Sequence, residues 1–160
     1  RLATAQPAAR IAITTPDAPA RAAELARLGW RTIDNPDAKS GQASSLKAGI
    51  AAARNIPGVT AAMILLADMP DVTDAHLMAL AGEFADGRSA VMSDAAGTLM
   101  PPAIFADTAF EALSSLKGDT GAKSVFRTLQ NTASIALAPD MARDVDTLAD
   151  LKDRKGKTYA

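Results

Sequence analysis

The sequence predicts an α/β domain of three layers, in which helices cover both faces of a mostly parallel sheet. Short apolar segments rich in β-branched residues alternate along the chain with longer segments whose apolar residues recur at helical spacing. Met63-Ile64-Leu65-Leu66 is a continuous apolar run between turn-forming residues, which is typical of a strand buried on both faces of a parallel sheet. Repeated units of strand and helix also favour right-handed crossover connections.

The composition limits both the size of the fold and the classes of partner. With 160 residues, 48% of them apolar and 22% charged, the chain fits one domain with a substantial core. The formal net charge of -1 provides no field that would attract nucleic acid or an anionic membrane. The absence of cysteine excludes disulfides and a cysteine nucleophile. No apolar stretch reaches the ~20 residues of a membrane helix, and we expect a cytoplasmic protein that is a monomer or a weak oligomer.

Two strands and two helices are predicted in the first part of the chain. β-branched residues indicate the strands, and proline or glycine marks the ends of the segments. A polar loop that contains Asn35 and Gly41 separates the second strand from the second helix. The elements are a strand from Arg10 to Thr15, a helix from about Arg21 to Leu28, a strand from Trp30 to Asp34, and a helix that Ser44 or Ser45 caps and Asn55 ends.

The strand predicted at Met63 to Leu66 is followed by a carboxylate and a proline. Asp68 lies at the carboxyl end of this strand, and ligands bind at that edge of open α/β sheets. Pro70 cannot continue the strand, and Thr73 is a plausible N-cap for the next helix. Asp68 is therefore a candidate for holding a metal ion or a polar substrate, and capping or solvating the loop explains it about as well. The apolar face of the helix comprises Leu77, Leu80, Ala81 and Phe84.

The second half of the chain predicts two further strands and a series of short helices. Two consecutive prolines, Pro101 and Pro102, argue against a centrally paired strand in their neighbourhood. Thr147 and Asp150 have the spacing of a capping box for a terminal helix. The other elements are a strand from Ser89 to Ser93, a flexible turn from Asp94 to Met100, helices that begin near Asp107 and Asp119, and a strand from Ala133 to Ala138.

The common nucleotide-binding and catalytic motifs are absent from the sequence. It contains neither G-x-x-x-x-G-K-[ST] nor a G-x-G-x-x-G after a strand. The one histidine, His76, falls inside the helix after Asp68. A general base also needs a positioned partner, so we interpret His76 as a packing or surface residue.

Four short motifs, in order along the chain, nevertheless resemble those of the molybdenum cofactor cytidylyltransferases. This family belongs to the nucleotide-diphospho-sugar transferase-like superfamily of nucleotidyltransferases. The motifs here are Asn35-Pro36 followed by Gly41 and Ser45-Leu46; Leu66-Ala67-Asp68-Met69-Pro70; Gly118-Asp119-Thr120-Gly121-Ala122-Lys123; and Asp144-Val145-Asp146-Thr147 with Asp150-Leu151.

The resemblance implies a Rossmann-like fold and a Mg-dependent enzyme that transfers CMP from CTP to a phosphorylated molybdopterin-type cofactor, releasing pyrophosphate. A related enzyme using GTP or a sugar phosphate remains an alternative, as does a non-catalytic domain that binds nucleotide. Carboxylates that hold a hard divalent cation suit this reaction, because the cation neutralises the charge of the reacting phosphates. The reaction needs no side-chain nucleophile, since positioning and electrostatics supply most of the catalytic effect.

The same resemblance assigns roles to individual residues. Asp68 and Asp146 are expected to hold the Mg ion, with Asp68 catalytic and Asp144 the alternative to Asp146. In extended backbone both alternatives point to the same face. The loop around Asp119 is expected near the acceptor phosphate, with Asp119 capping the next helix. The nucleotide-binding residues are then Asn35, Gly41 and Ser45, and the acceptor-binding residues are Pro102, Asp119 and Gly121.

Two departures from the family pattern shape the expected domain. Members of the family begin with a strand and a Gly-rich loop that ends in Arg and Lys, and nothing before Arg10 matches that segment. We therefore expect residues 1–160 to form a single nucleotidyltransferase-like domain that lacks this first strand and nucleotide-binding loop. The family's Gly-x-Pro appears here as Met100-Pro101-Pro102, with methionine where glycine would let the backbone approach a ligand.

Overall fold

The computed structural model describes residues 7–145, 147 and 150, and it confirms the α/β fold class. Strands and helices alternate through the first half of the chain, as the sequence pattern predicts. The strands are β1 (Ile11–Thr14), β2 (Arg31–Asp34), β3 (Ala61–Ile64), β4 (Ala90–Ala95), β5 (Thr98–Ala106) and β6 (Thr132–Ala136). The helices are α1 (Pro19–Arg27), α2 (Gln42–Arg54), α3 (Asp74–Phe84), α4 (Phe110–Ser114) and α5 (Ala122–Phe126).

The strands form two separate sheets, and within each sheet most of the strands run in the same direction. β1 and β2 pair in parallel as one sheet, and the other has the strand order β3-β5-β4-β6. In this second sheet β4 and β6 are parallel, whereas β5 is antiparallel to both of its neighbours. Hence β3, β4 and β6 run in one direction and β5 alone runs against them.

Two hydrophobic clusters lie on the two faces of the four-stranded sheet and make the fold three-layered. Neighbouring residues of a strand point to opposite faces, so Met92 and Phe105 join one cluster while Val91 and Ile104 join the other. The first cluster packs against α2, α4 and α5, and the second packs against α3 through Leu80. The predicted apolar face of α3 is confirmed, because Leu77, Ala81 and Phe84 also pack against the second cluster.

The prediction that Met63 to Leu66 forms a strand buried on both faces is wrong. β3 ends at Ile64 and is an edge strand, paired only with β5 in the described part of the chain. Met63 is 37% exposed and Leu65 is 43% exposed, whereas Ala62 and Ile64 pack against the first cluster. The apolar run reflects a strand with one covered face and one open edge.

The consecutive prolines argued against a centrally paired strand, and this prediction is wrong, since β5 is paired on both sides. The pairing register explains how the strand tolerates them. Met92 pairs with Ala103 but Ser93 pairs with Met100, so Pro101 and Pro102 bulge out of the ladder with β4. Residues in such a bulge need no ladder N–H, which proline lacks. The segment predicted as a flexible turn is likewise part of a hairpin, with only Ala96 and Gly97 between β4 and β5.

Among the predicted caps of α2, α3 and α5, only the cap of α3 is confirmed. Thr73 caps α3, accepting a hydrogen bond from the His76 N–H at 3.3 Å, as expected. The cap of α2 is Gly41, which places Ser44 and Ser45 in the first turn of the helix. Asp119 does not cap α5 either, because the cap residue is Gly121 and no side chain bonds there. Within the described ranges, no helix is long and apolar enough to cross a membrane.

Candidate functional site

Asp68 lies in the loop between β3 and α3, four residues beyond the end of the strand. One carboxylate oxygen, Oδ1, is fully buried and has no hydrogen-bond partner among the described residues. Such an oxygen is costly unless a water, another donor or a cation satisfies it, so Asp68 is a candidate for binding a ligand. This oxygen favours a metal or substrate role for Asp68 over a role in capping or solvating the loop.

The fourth motif returns to this loop. The Val145 N–H donates a hydrogen bond of 2.8 Å to the backbone carbonyl of Asp68, although 77 residues separate the two in the chain. This contact brings the segment that contains Asp144 beside the Asp68 loop, as the resemblance implies. Asp146, the predicted second metal ligand, lies outside the described residues. The predicted capping box is present, because the Thr147 N–H donates to Asp150 Oδ2 at 2.8 Å and the Asp150 N–H donates to Thr147 Oγ1 at 3.2 Å.

Asn35 organises the loop that leads from β2 into α2. It is 4% exposed, and its Nδ2 donates to Ser44 Oγ at 2.9 Å and to Ser45 Oγ at 3.0 Å. Its Oδ1 accepts from the Asp37 N–H at 3.0 Å. Asn35 therefore holds the first turn of α2 against the end of β2, and its amide group is engaged within the protein.

Replacing Asn35 by Asp should destabilise the domain by about 2 kcal/mol. The substituted side chain still accepts from Asp37 but has no hydrogen to give to Ser44 and Ser45. Ser44 Oγ donates its one hydrogen to the Gly41 carbonyl at 2.9 Å, so it must give up that bond to donate to the new, desolvated carboxylate. Chemical denaturation of the wild type and the variant measures the change. The exposed Asn55, which donates to the Ala51 carbonyl at 3.1 Å, provides the matched control, and Asn55→Asp should change stability much less. Equal effects at the two positions would contradict the role given to Asn35.

Gly41 brings two of the sequence motifs into contact. A Cβ atom at Gly41 would lie 2.5 Å from the backbone carbon and oxygen of Gly118 and 2.6 Å from Oδ1 of Asp119. The Ala43 N–H donates to the Gly118 carbonyl at 3.0 Å, which occupies one amide of the first turn of α2. Glycine at position 41 therefore allows the two loops to pack closely, because it adopts a φ of +108° and has no side chain in the contact.

Gly121 meets the same helix start from the other loop. A Cβ atom there would lie 2.7 Å from Oε1 of Gln42. The predicted nucleotide loop around Gly41 and the predicted acceptor loop around Gly121 therefore form one packed unit. α5 has five residues, so its dipole offers little to an anion. Sequence reasoning missed Gln42, which follows a cap glycine but matches none of the motifs.

Pro102 is held by a buried chain of hydrogen bonds that the sequence did not reveal. Ser93 Oγ donates to the Pro102 carbonyl at 2.7 Å and lies 2.8 Å from Nε2 of His76. Ser93 is 0% exposed and His76 is 6% exposed, so His76 is a core residue, as interpreted. A single serine in a strand carries no motif, and no sequence signal identified Ser93.

Burial lowers the pKa of His76 below its ordinary value of 6.5. The folded protein then binds fewer protons at this ring than the unfolded chain does, and the resulting stability is present above pH 6.5 and is lost as the pH falls toward the folded pKa. We expect the free energy of unfolding to decrease more steeply below about pH 6.5 in the wild type than in His76→Gln. Denaturation at a series of pH values measures the difference. Parallel pH curves would show that His76 contributes nothing to this dependence.

A small pocket opens at the carboxyl ends of β1 and β2. It has a volume of about 200 Å³, and its lining includes Thr15, Asp17, Asn35 and Lys39. Small-molecule sites usually measure roughly 300–1,000 Å³, so this one is small for a whole nucleotide. A larger open pocket of about 370 Å³ at Arg54, Val59 and Asp107 contains none of the predicted site residues. We give the smaller pocket more weight, because it lies at the edge of parallel strands where ligands bind.

The described contacts divide the predicted site residues into three groups. One group joins Asn35, Gly41 and Ser45 to Asp119 and Gly121 around the start of α2. The second joins Asp68 to the Val145 segment, and the third joins Pro102 to His76 in α3. No hydrogen bond recorded among the described residues joins the first group to Asp68.

Comparison with protein families matches residues 1–134 to the family described as the MobA-like NTP transferase domain. Among characterised proteins, the purine catabolism protein PucB of Bacillus subtilis (strain 168) is 34% identical over 119 residues. The alignment covers 74% of this chain and 57% of PucB, so the chain spans little more than half of that relative.

Solved structures share the fold. Rv0371c from Mycobacterium tuberculosis H37Rv superposes with a TM-score of 0.70 at 22% identity, covering 92% of this chain and 76% of that one. Its complex with manganese gives a TM-score of 0.68 at 25% identity, with 89% and 75% covered. The molybdopterin-guanine dinucleotide biosynthesis protein A from Archaeoglobus fulgidus gives 0.65 at 17% identity, with 91% and 76% covered.

Proposed function

The chain belongs to the MobA-like NTP transferase domain family, and from this premise we propose that it transfers CMP from CTP to a phosphorylated molybdopterin-type cofactor, releasing pyrophosphate. Membership of this family supports a nucleotidyltransferase activity. The choice of CTP and of the acceptor rests on the four motifs that resemble the cytidylyltransferases. The proposed location is the cytoplasm.

The observation that carries the proposal is the buried, unpaired Oδ1 of Asp68 beside the returning Val145 segment. A carboxylate oxygen is a hard ligand of the kind that Mg²⁺ prefers, and it is already desolvated. The part of the chain that the structure describes contains no group of three or more acidic or histidine side chains that could bind a metal by themselves. Asp68 with Asp146 or Asp144 therefore fits an ion that keeps most of its coordination for phosphates and water, as Mg²⁺ usually does.

When bound, the cation would neutralise charge on the phosphates of the two substrates. Rv0371c has been solved as a complex with manganese, which supports a divalent cation for this chain without choosing Mg²⁺. The chain's own residues orient the reactants and contribute no nucleophile. Asn35, Gly41 and Ser45 shape the nucleotide side, and the backbone around Pro102 and Gly121 shapes the acceptor side. Positioning of this kind accounts for a large part of the rate of phosphoryl transfer.

We further propose that one more strand belongs between β1 and β3. Ile11 of β1 and Ile64 of β3 pack against the same core cluster, yet the two strands lie in separate sheets. Met63 in β3 and Leu65 directly after it are exposed. A strand in this gap would join the sheets and cover these side chains, and the Gly-rich loop that follows it in the family would complete the small pocket. The codons upstream of Arg1 provide the direct test.

The test of the function is an assay of pyrophosphate release by the protein expressed from its full reading frame. CTP, GTP, ATP and UTP are each offered with a phosphorylated molybdopterin acceptor, in Mg²⁺ or Mn²⁺ and after chelation. Turnover that requires the acceptor and is fastest with CTP supports the proposal. Faster turnover with GTP would favour the alternative in which GMP is transferred. The Archaeoglobus neighbour is named as a molybdopterin-guanine dinucleotide biosynthesis protein, which agrees with that alternative.

Two other outcomes would overturn the proposal in different ways. Turnover with a sugar phosphate but not with the pterin acceptor would replace the acceptor. Nucleotide binding without turnover, in calorimetry under the same conditions, would favour a non-catalytic domain of the same fold.

A further inference from the structure

The chain of hydrogen bonds from His76 through Ser93 to Pro102 links two loops that are far apart in the sequence. His76 lies in the first turn of α3, and its N–H bonds to the cap residue Thr73 at the end of the Asp68 loop. Pro102 lies in the bulge of β5, where the ladder with β4 is interrupted. Ser93 stands between them in β4 and is fully buried.

The direction of each hydrogen bond follows from the number of hydrogens available. The Ser93 hydroxyl has one hydrogen, and it donates that hydrogen to the Pro102 carbonyl at 2.7 Å. The 2.8 Å contact with His76 then requires the ring to donate from Nε2. A neutral ring with its proton on Nε2 therefore fits the site.

This arrangement satisfies a carbonyl that the bulge would otherwise leave without a partner. Pro102 falls between Ala103 and Met100, which are the residues that pair with β4. A buried carbonyl without a donor is costly, so the Ser93 hydroxyl holds the bulge in one position. The hydroxyl in turn is held by a ring on α3. Buried polar chains of this kind rigidify a core when every member is satisfied.

We propose that His76 is a positioning residue, which through Ser93 fixes the Pro101-Pro102 bulge relative to the loop that carries Asp68. The consequence for catalysis rests on the proposed function, in which the bulge faces the acceptor and Asp68 serves the phosphates. His76 has no chemical role of its own in this proposal. It sets the distance between the two substrate sites.

The first test does not depend on activity. The chain has one histidine, so the long-range ¹⁵N spectrum of its imidazole contains one ring and should show the proton on Nε2. Methyl-labelled methionine places one probe in the Asp68 loop, at Met69, and one in β5 beside the bulge, at Met100. His76→Leu should shift the Met100 methyl resonance across the sheet. His76→Gln should leave this resonance near its wild-type position, because the glutamine Nε2 is the same number of bonds from the backbone as the histidine Nε2. A proton on Nδ1, or a Met100 signal that does not shift in His76→Leu, would overturn the proposed connection between His76 and the bulge.

The matched control is Val91→Ala, a substitution in the same strand and on the same face as Ser93 but outside the chain of hydrogen bonds. Val91 is 0% exposed, so its truncation lowers the melting temperature as the truncation of Ser93 does. His76→Leu should move the Met100 signal, whereas Val91→Ala should leave it in place; Ser93→Ala does not decide this, because Ser93 pairs directly with Met100. Equal shifts in the two variants would reduce the effect to general loosening of the core and overturn the proposal.

The second test separates the substrates kinetically in the full-length enzyme. Ser93→Ala and His76→Leu should each raise the Michaelis constant of the acceptor about tenfold, which corresponds to about 1.4 kcal/mol, and change that of the nucleotide less than about twofold. His76→Gln should stay close to the wild type. Unchanged acceptor constants with altered methyl signals would show that the bulge position does not matter for the reaction, and the positioning role would be wrong. If the wild type catalyses no transfer at all, the proposed function fails, and the methyl spectra still decide whether His76 fixes the bulge.

Discussion

Asp68→Asn is expected to abolish metal-dependent nucleotidyl transfer while leaving the melting temperature unchanged or slightly higher. The buried Oδ1 of Asp68 has no partner among the described residues, so removing the charge relieves an unfavourable state of the metal-free protein. The substrate complex loses a hard ligand in a desolvated position. Loss of a preorganised electrostatic group in an active site typically costs about 10²- to 10³-fold in rate, and we expect a loss at or beyond that range.

The control for this prediction is Asp74→Asn, which makes the same chemical change six residues further along the chain. Asp74 is exposed in the first turn of α3, where its charge contributes at most about 1 kcal/mol through the helix dipole. This variant should keep its activity, and calorimetric titration with Mn²⁺ should show binding to it but not to Asp68→Asn. An active Asp68→Asn enzyme would remove Asp68 from the metal site. A second pair, Asp146→Asn and Asp144→Asn, decides which carboxylate of the returning segment joins it.

Gly41→Ala should destabilise the domain by about 3 kcal/mol, the largest effect that we expect from adding a single methyl group. The new Cβ would lie 2.5 Å from the backbone of Gly118, and backbone cannot rotate away as a side chain can. The strained φ of +108° adds about 1 kcal/mol or more, and overpacking adds about 1–3 kcal/mol. Because the contact joins the two predicted substrate loops, nucleotide binding and acceptor binding should weaken together. Chemical denaturation and separate titration of the two substrates measure these effects.

Variants of two other glycines separate the effect of backbone strain from the effect of overpacking. Gly29 has a φ of +82° with nothing within 4 Å of its added Cβ, so Gly29→Ala reports backbone strain alone, at about 1 kcal/mol. Gly121→Ala meets only the end of the Gln42 side chain, which can turn aside, so it should cost less than about 1 kcal/mol. If Gly41→Ala proved no worse than Gly29→Ala, the loops would be free to separate. A loss confined to the nucleotide would instead support the role of Gly41 in nucleotide binding alone.

Local pattern predicted the elements of this fold well. The spacing of apolar residues located α3 and its buried face, and the Thr73 cap and the Thr147 and Asp150 capping box were found where the sequence indicated them. These features depend on residues within one or two turns of each other. Five of the six described strands lie within a few residues of their predicted positions, but β5 was not predicted and β3 was given the wrong place in its sheet.

By itself the sequence determined the α/β class, the family and the positions of the motifs, because periodicity, caps and short motifs are written in neighbouring residues. Only the tertiary structure decided which distant residues meet. It placed Gly118 against Gly41, Val145 against Asp68, and Ser93 between His76 and Pro102. It also made the prolines of β5 compatible with a central strand, by setting them in a bulge. A period of two or 3.6 residues tells which face a side chain occupies, but its neighbour on that face is fixed by the packing of the whole chain.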